Sequence, residues 1–192
     1  DAAPGPSGGP WHSSAVGSCP PPTGRSKPSP GREPRVTVFG SVLALHIAAG
    51  AAGLILGPIA MRARKEPGLH TRAGEAYHWI VLAVGVTASL LAVLDWKRLW
   101  WFLPIAAGSY AFALVGYAAA KRRRRGWLKA HIAGQGGSYI AMTTALLVVN
   151  WETLTGTRGI SSPMAWALPT VVGAPIIAWV TYQVRIGKRP KR

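Results

Sequence analysis

The sequence predicts an all-α integral membrane protein, a bundle of about five transmembrane helices behind a disordered N-terminal tail. Three observations carry this expectation. Charged residues are only 15% of the 192-residue chain, against 49% hydrophobic. They also leave five stretches of about 19 to 26 residues with no Asp, Glu, Lys or Arg. A helix needs roughly 20 apolar residues to cross a hydrocarbon core of about 30 Å, and none of these stretches carries the polar face a soluble helix of that length requires. Finally, basic residues gather at alternate ends of the stretches, as membrane topology demands.

Taken in order, residues 1–34 are rich in Pro, Gly and Ser and contain no periodic apolar pattern. Such a composition cannot bury a core, so this tail is expected to be disordered. It also lacks the apolar centre of a cleavable signal peptide. It contains His12 and Cys19, and no functional role is expected of either. Cys19 is the single cysteine of the chain, so no internal disulfide can form. The transmembrane domain is expected over residues 35–192. Its spans are read as Val36–Met61, Ala76–Leu94, Leu99–Ala120, Ala130–Trp151 and Ile160–Val184. In lipid the backbone must satisfy its own polar groups, so each span is predicted to be helical.

Orientation follows from Lys and Arg. Fifteen fall on one side: Arg62, Arg64, Lys65 and Arg72, the group from Lys121 to Lys129, and the C-terminal group from Arg185. Seven fall on the other. The richer side is predicted to be cytoplasmic, placing the N-terminus outside and the C-terminus inside a bacterial plasma membrane. Trp96, Trp100, Trp101, Trp151 and Trp166 mark the outer interface, and Trp79 and Trp127 the inner one. A net charge of +16 would suggest nucleic acid in a soluble protein. Here it sets topology, and the expected partner is the lipid bilayer, with other membrane proteins beside it. The run Arg122, Arg123, Arg124, Arg125 acts as a topology anchor that also attracts anionic headgroups.

The spans contain no acidic or basic side chain, so their polar chemistry rests on histidines and a few neutral groups. His46 lies near mid-membrane, His78 and His131 lie within about a turn of the cytoplasmic span ends, and His70 lies in the first cytoplasmic loop. An ionisable group inside a span is costly and marks a functional site by default. Two imidazoles facing across a bundle can ligate haem iron, and histidines also suit Zn, Cu or Fe. His46, His70, His131 and His78 are therefore candidate ligands for haem b or a transition metal. In the fourth span His131, Gln135, Ser138 and Met142 fall at i, i+4, i+7 and i+11, one helical face. In the first span Gly53 and Gly57 form a GxxxG pair, and such small residues pack helices closely. Carboxylates are few and dispersed, which supplies little for side-chain catalysis.

The segments LHIAAGAAGLILGPIAM, LHTRAGEAYHW, GWLKAHIAGQGGSYIAMTTALLVVN and ALPTVVGAPII together resemble an uncharacterised family of bacterial multi-pass membrane proteins, domain of unknown function 2306. The resemblance covers about residues 40–180. It implies roles for His46, Gly57, Pro58, His70, Arg72, Gly74, Tyr77, His131, Gly134, Ser138 and Tyr139. Gln135 stands where that pattern often has Met, Ala130 where it commonly has Trp, and His78 is not part of it. The resemblance implies a membrane class and no established activity. The leading expectation is a histidine-ligated, redox- or metal-linked membrane protein. A small transporter with helices loosened at Pro58 and Pro175, and a non-catalytic assembly protein, are the alternatives.

Overall fold

The computed structural model describes residues 33–65, 68–158 and 162–187, with side chains from Thr37 onward. Six helices and no strands occur among them: α1 (Glu33–Arg62), α2 (Leu69–Leu94), α3 (Trp96–Leu99), α4 (Phe102–Arg122), α5 (Trp127–Thr155) and α6 (Pro163–Arg185). All but the four-residue α3 are long and apolar enough to cross a membrane. The chain is an integral membrane protein of the all-α class. His12 and Cys19, most of the expected tail and the last five residues lie outside the described residues.

The five spans follow the charge-free stretches, with the helices running past them. α2 starts seven residues before the expected span, α5 three before, and α1 already at Glu33. Helix formation needs only satisfied backbone, so it continues beyond the hydrocarbon limit where charged residues such as Arg72 and Glu75 face water. His70 and Arg72 therefore stand on the first turn of α2 rather than in a loop. The ends are marked locally. Gly68 precedes α2 at φ 146°, and Asp95 closes it. Arg123 (φ 46°) and Gly126 (φ 80°) make the left-handed turn between α4 and α5. Ser162 caps α6 through the Ala165 amide, with Pro163 at its first position.

α1, α2, α4 and α5 form a ring in which α2 packs on α1 and α4, and α5 packs on α4 and, more lightly, α1. α6 packs along α5. Successive spans alternate in direction, so α2 and α5 are parallel and face each other diagonally across the ring. Tyr77, Val81, Ala113 and Met142 form the buried core on that diagonal. The outside is apolar: Ile47 and Ile55 of α1 and Val171 and Trp179 of α6 are all at least 60% exposed. A soluble protein rarely exposes so much hydrocarbon; in a bilayer it is the solvated surface.

Two features set how closely the ring closes. α4 and α5 touch backbone to backbone, where a Cβ on Gly134 would lie 2.5 Å from the Gly116 nitrogen. In α1, Pro58 has no N–H, which orphans the Leu54 carbonyl four residues earlier. Tyr139 of α5 donates its hydroxyl to that carbonyl at 3.2 Å, and α1 continues unbroken through Pro58. α6 also runs unbroken through Pro169 and Pro175. The loosening expected at Pro58 and Pro175 in the transporter alternative breaks neither helix; at Pro58 it is limited to the freed Leu54 carbonyl.

Candidate functional site

The α2–α5 diagonal brings together residues a constant 61 positions apart. His70 lies against His131, Tyr77 against Ser138, and Val81 shares the core with Met142. The physical reason is helical spacing. Residues seven apart recur on one helix face, and both helices run in the same direction from the arginine-rich end. His70 and Tyr77 thus form one stripe on α2, and His131 and Ser138 the matching stripe on α5. At 1.5 Å per residue the two rungs are about 10 Å apart along the bundle axis.

At the arginine-rich end the His70 and His131 rings sit 6.1 Å apart, centroid to centroid, at 84°. Each is held by a backbone carbonyl. His70 Nδ1 donates to Ala60 O at 2.8 Å. That carbonyl lies in the last turn of α1, where carbonyls lack helical partners, and Lys65 Nζ also reaches it at 3.1 Å. His131 Nδ1 donates to Gly116 O of α4 at 2.9 Å. A carbonyl only accepts, so in each neutral ring the proton is on Nδ1 and the lone pair on Nε2. This is the outer hydrogen bond that orients metal-ligating histidines. Four helices thereby fix the pair: α2 and α5 carry the rings, and α1 and α4 orient them. Trp127 flanks His131, centroid to centroid 6.4 Å.

The next rung is a closed chain. Ser138 Oγ, fully buried, donates to Gln135 O at 2.9 Å. Its one proton is then used, so the Tyr77 hydroxyl donates to Ser138 at 3.0 Å. Met142 Sδ lies 3.7 Å from the same hydroxyl. Gln135 Nε2 donates to Ala113 O of α4 at 3.1 Å. Beside this rung Tyr139 and Tyr77 close over Gly57, where a Cβ would lie 2.6 Å from the Tyr139 ring. Gly53 packs under Met142 in the same way.

The other two histidines stand apart from the pair. His46 Nδ1 bonds Thr87 Oγ1 at 2.9 Å. Thr87 spends its own proton on Ala83 O at 2.7 Å, so the imidazole is the donor here too. His78, one residue past Tyr77, is turned about 100° round α2 and meets α4 instead of α5. It stacks on Tyr117 at 4.1 Å and 9° and lies 5.7 Å from Tyr110. The expectation that His78 and His131 face each other across the bundle is therefore corrected: His131 faces His70. His78 is 3% exposed, and its Nδ1 has no hydrogen-bond partner among the described residues. Among the described residues no group of three or more His, Cys, Asp or Glu is placed to hold a metal ion. Of the four candidate histidines expected from the sequence, His70 and His131 lie side by side, while His46 and His78 stand apart from them and from each other.

Arg72 follows His70 on the exposed side of the first turn of α2, and Arg122 to Arg125 are all exposed. Arg123 lies over the Trp127 ring at 5.5 Å. Lys121 is ion-paired with Glu75. Contributors that the sequence reading passed over are the carbonyls of Ala60, Gly116 and Leu54, together with Thr87. Only Leu54 carried a signal, its position four residues before Pro58. No protein-family model, curated protein or solved structure matches this chain.

Proposed function

We propose that this membrane protein binds a transition metal ion at its arginine-rich end through Nε2 of His70 and His131. One observation carries the reading. The two rings converge from different helices, each with Nδ1 committed to a carbonyl and its Nε2 lone pair free. Metal–nitrogen bonds of about 2.0–2.1 Å place two rings on a shared ion with centroids about 5–6.5 Å apart, and 6.1 Å falls inside that interval. Imidazole nitrogen suits Zn, Cu, Fe or Ni. Two protein ligands leave further positions for water or a ligand from the adjoining aqueous phase, the arrangement of a reactive or transfer site rather than a closed structural one.

The donor set suits a bare ion better than haem. Beside His131 the α4 and α5 backbones are in contact at Gly116 and Gly134, and Trp127 occupies a neighbouring flank. Little width is left there for a macrocycle. The same proposal places the arginine-rich end in the cytoplasm of a bacterial cell and relates the chain to the domain of unknown function 2306 pattern through His70, Tyr77, His131, Ser138 and Tyr139. Reporter fusions at the two ends of α6 test the orientation.

Cu(II) titration of the purified protein, followed by electron paramagnetic resonance, tests the site. Coupling to two nitrogens is expected, lost to one or none in His70→Ala and His131→Ala and unchanged in His46→Ala. An identical two-nitrogen signal in His70→Ala would overturn the assignment.

A further inference from the structure

At the opposite end of the bundle, α4 and α6 both lean on α5 and leave a groove between them of about 420 Å³. Gly137, Ala141 and Ala145 form its floor, four residues apart along one stripe of α5. Phe112 stands at one end. At the other, Trp101 and Trp166 meet at 6.2 Å and bridge α4 to α6. From Gly137 to Val148 the groove runs about 16 Å at 1.5 Å per residue.

We propose that this groove binds one linear acyl chain of a membrane phospholipid, its headgroup at the Trp101–Trp166 pair. Length, polarity and depth each support this occupant. Half of a hydrocarbon core of about 30 Å is about 15 Å, the reach of one leaflet's chains, and the groove has that length. Two of the three hydroxyls along the groove are already used within their helices: Ser109 donates to Ile105 O at 2.7 Å and Thr144 to Ile140 O at 2.8 Å. A polar ligand would find them engaged, whereas a hydrocarbon chain asks nothing of them. The tryptophan pair sits where aromatic rings settle at membrane interfaces, which sets the chain's entry point and direction. The floor is a single stripe of small residues along one helix, and we take an unbranched chain over an isoprenoid as its occupant.

Gly108 allows a direct test, because it lines the groove and a Cβ there meets nothing within 4 Å. The full chain is reconstituted in phospholipid nanodiscs containing a phosphatidylcholine with a diazirine in one acyl chain. After illumination, adducts are mapped by mass spectrometry. Adducts are expected to concentrate on the groove segments 105–112 and 137–148, and to fall severalfold there in Gly108→Phe while those on the outer face of α1 persist. Ala145→Phe fills the groove from its floor and provides a second variant should Gly108→Phe fail to fold, judged by circular dichroism. Adducts spread evenly over all outward faces, or groove adducts undiminished in a folded filled variant, would overturn the proposal. So would stronger groove labelling by an isoprenoid diazirine of equal length.

Discussion

The diagonal between α2 and α5 changes character along its length. In the half toward the arginine-rich end it carries imidazoles, a phenol, a serine and an amide, every one tied to another helix or to its own backbone. Past Val81 and Met142 the buried residues are mainly apolar, Leu91 and Val148 among them, with Thr87 and its His46 partner on α1 as the polar exception. A recess of that half, between α4, α5 and α6, is lined almost wholly by carbon. The contrast teaches where a membrane bundle tolerates reactive groups. Most of the polar side chains on that diagonal have a partner on another helix or on their own backbone. Deeper in, an unpaired group costs several kcal/mol.

Substitutions that break the contrast rank by the contact they remove. Gly134→Leu should have the largest effect, because a side chain there meets the α4 backbone, which cannot yield as a flexible side chain can. A loss of about 3 kcal/mol is expected, read as a lowered unfolding midpoint in detergent with the α4–α5 contact opened. His131→Ala removes one of the two proposed ligands and should lower metal affinity by more than the roughly 10- to 100-fold that loss of a ligand's outer hydrogen-bond partner costs, with less effect on stability, which isothermal titration and unfolding together separate. Tyr139→Phe removes the donor that answers the Leu54 carbonyl. It should cost about 1–2 kcal/mol and raise hydrogen exchange in α1 near Pro58; unchanged exchange there would mean another donor serves. Tyr77→Phe should be mildest, about 0.6 kcal/mol, and a double-mutant cycle with Ser138→Ala should return that value as coupling. Metal affinity in Tyr77→Phe should stay within about twofold, on the scale where 1.4 kcal/mol is tenfold.

Most of the architecture was legible because a bilayer imposes a length and a charge rule on every span. The five charge-free runs had no other reading. The polar face of α5 was also legible, since His131, Gln135 and Ser138 share a helical stripe whatever surrounds them. The partner of that stripe was not. α2 and α5 are separated by two turns and two other helices, and nothing local states which of their faces meet. His70 was expected in a loop because Arg72 and Glu75 interrupt the apolar run, although α-helix tolerates both once it has left the hydrocarbon. His78 was expected opposite His131 because depth is easy to count along a span, whereas direction around it is not. One residue separates His78 from Tyr77, and 100° of rotation sends the first to α4 and the second to α5.

The equal spacing of the two rungs has a mechanical consequence. His70 and Tyr77 are fixed to one rigid rod, and His131 and Ser138 to another. A twist or slide of α2 large enough to spread the imidazoles must also pull the phenol from the serine. Pinching the imidazoles together from the aqueous side presses on the same joint. The pair of rods therefore behaves as a lever whose short arm is at the membrane surface and whose far end lies about 10 Å deeper, beside the Tyr139 clasp on α1. Whatever tightens or loosens the outer rung is felt at that depth without any chain of moving side chains between.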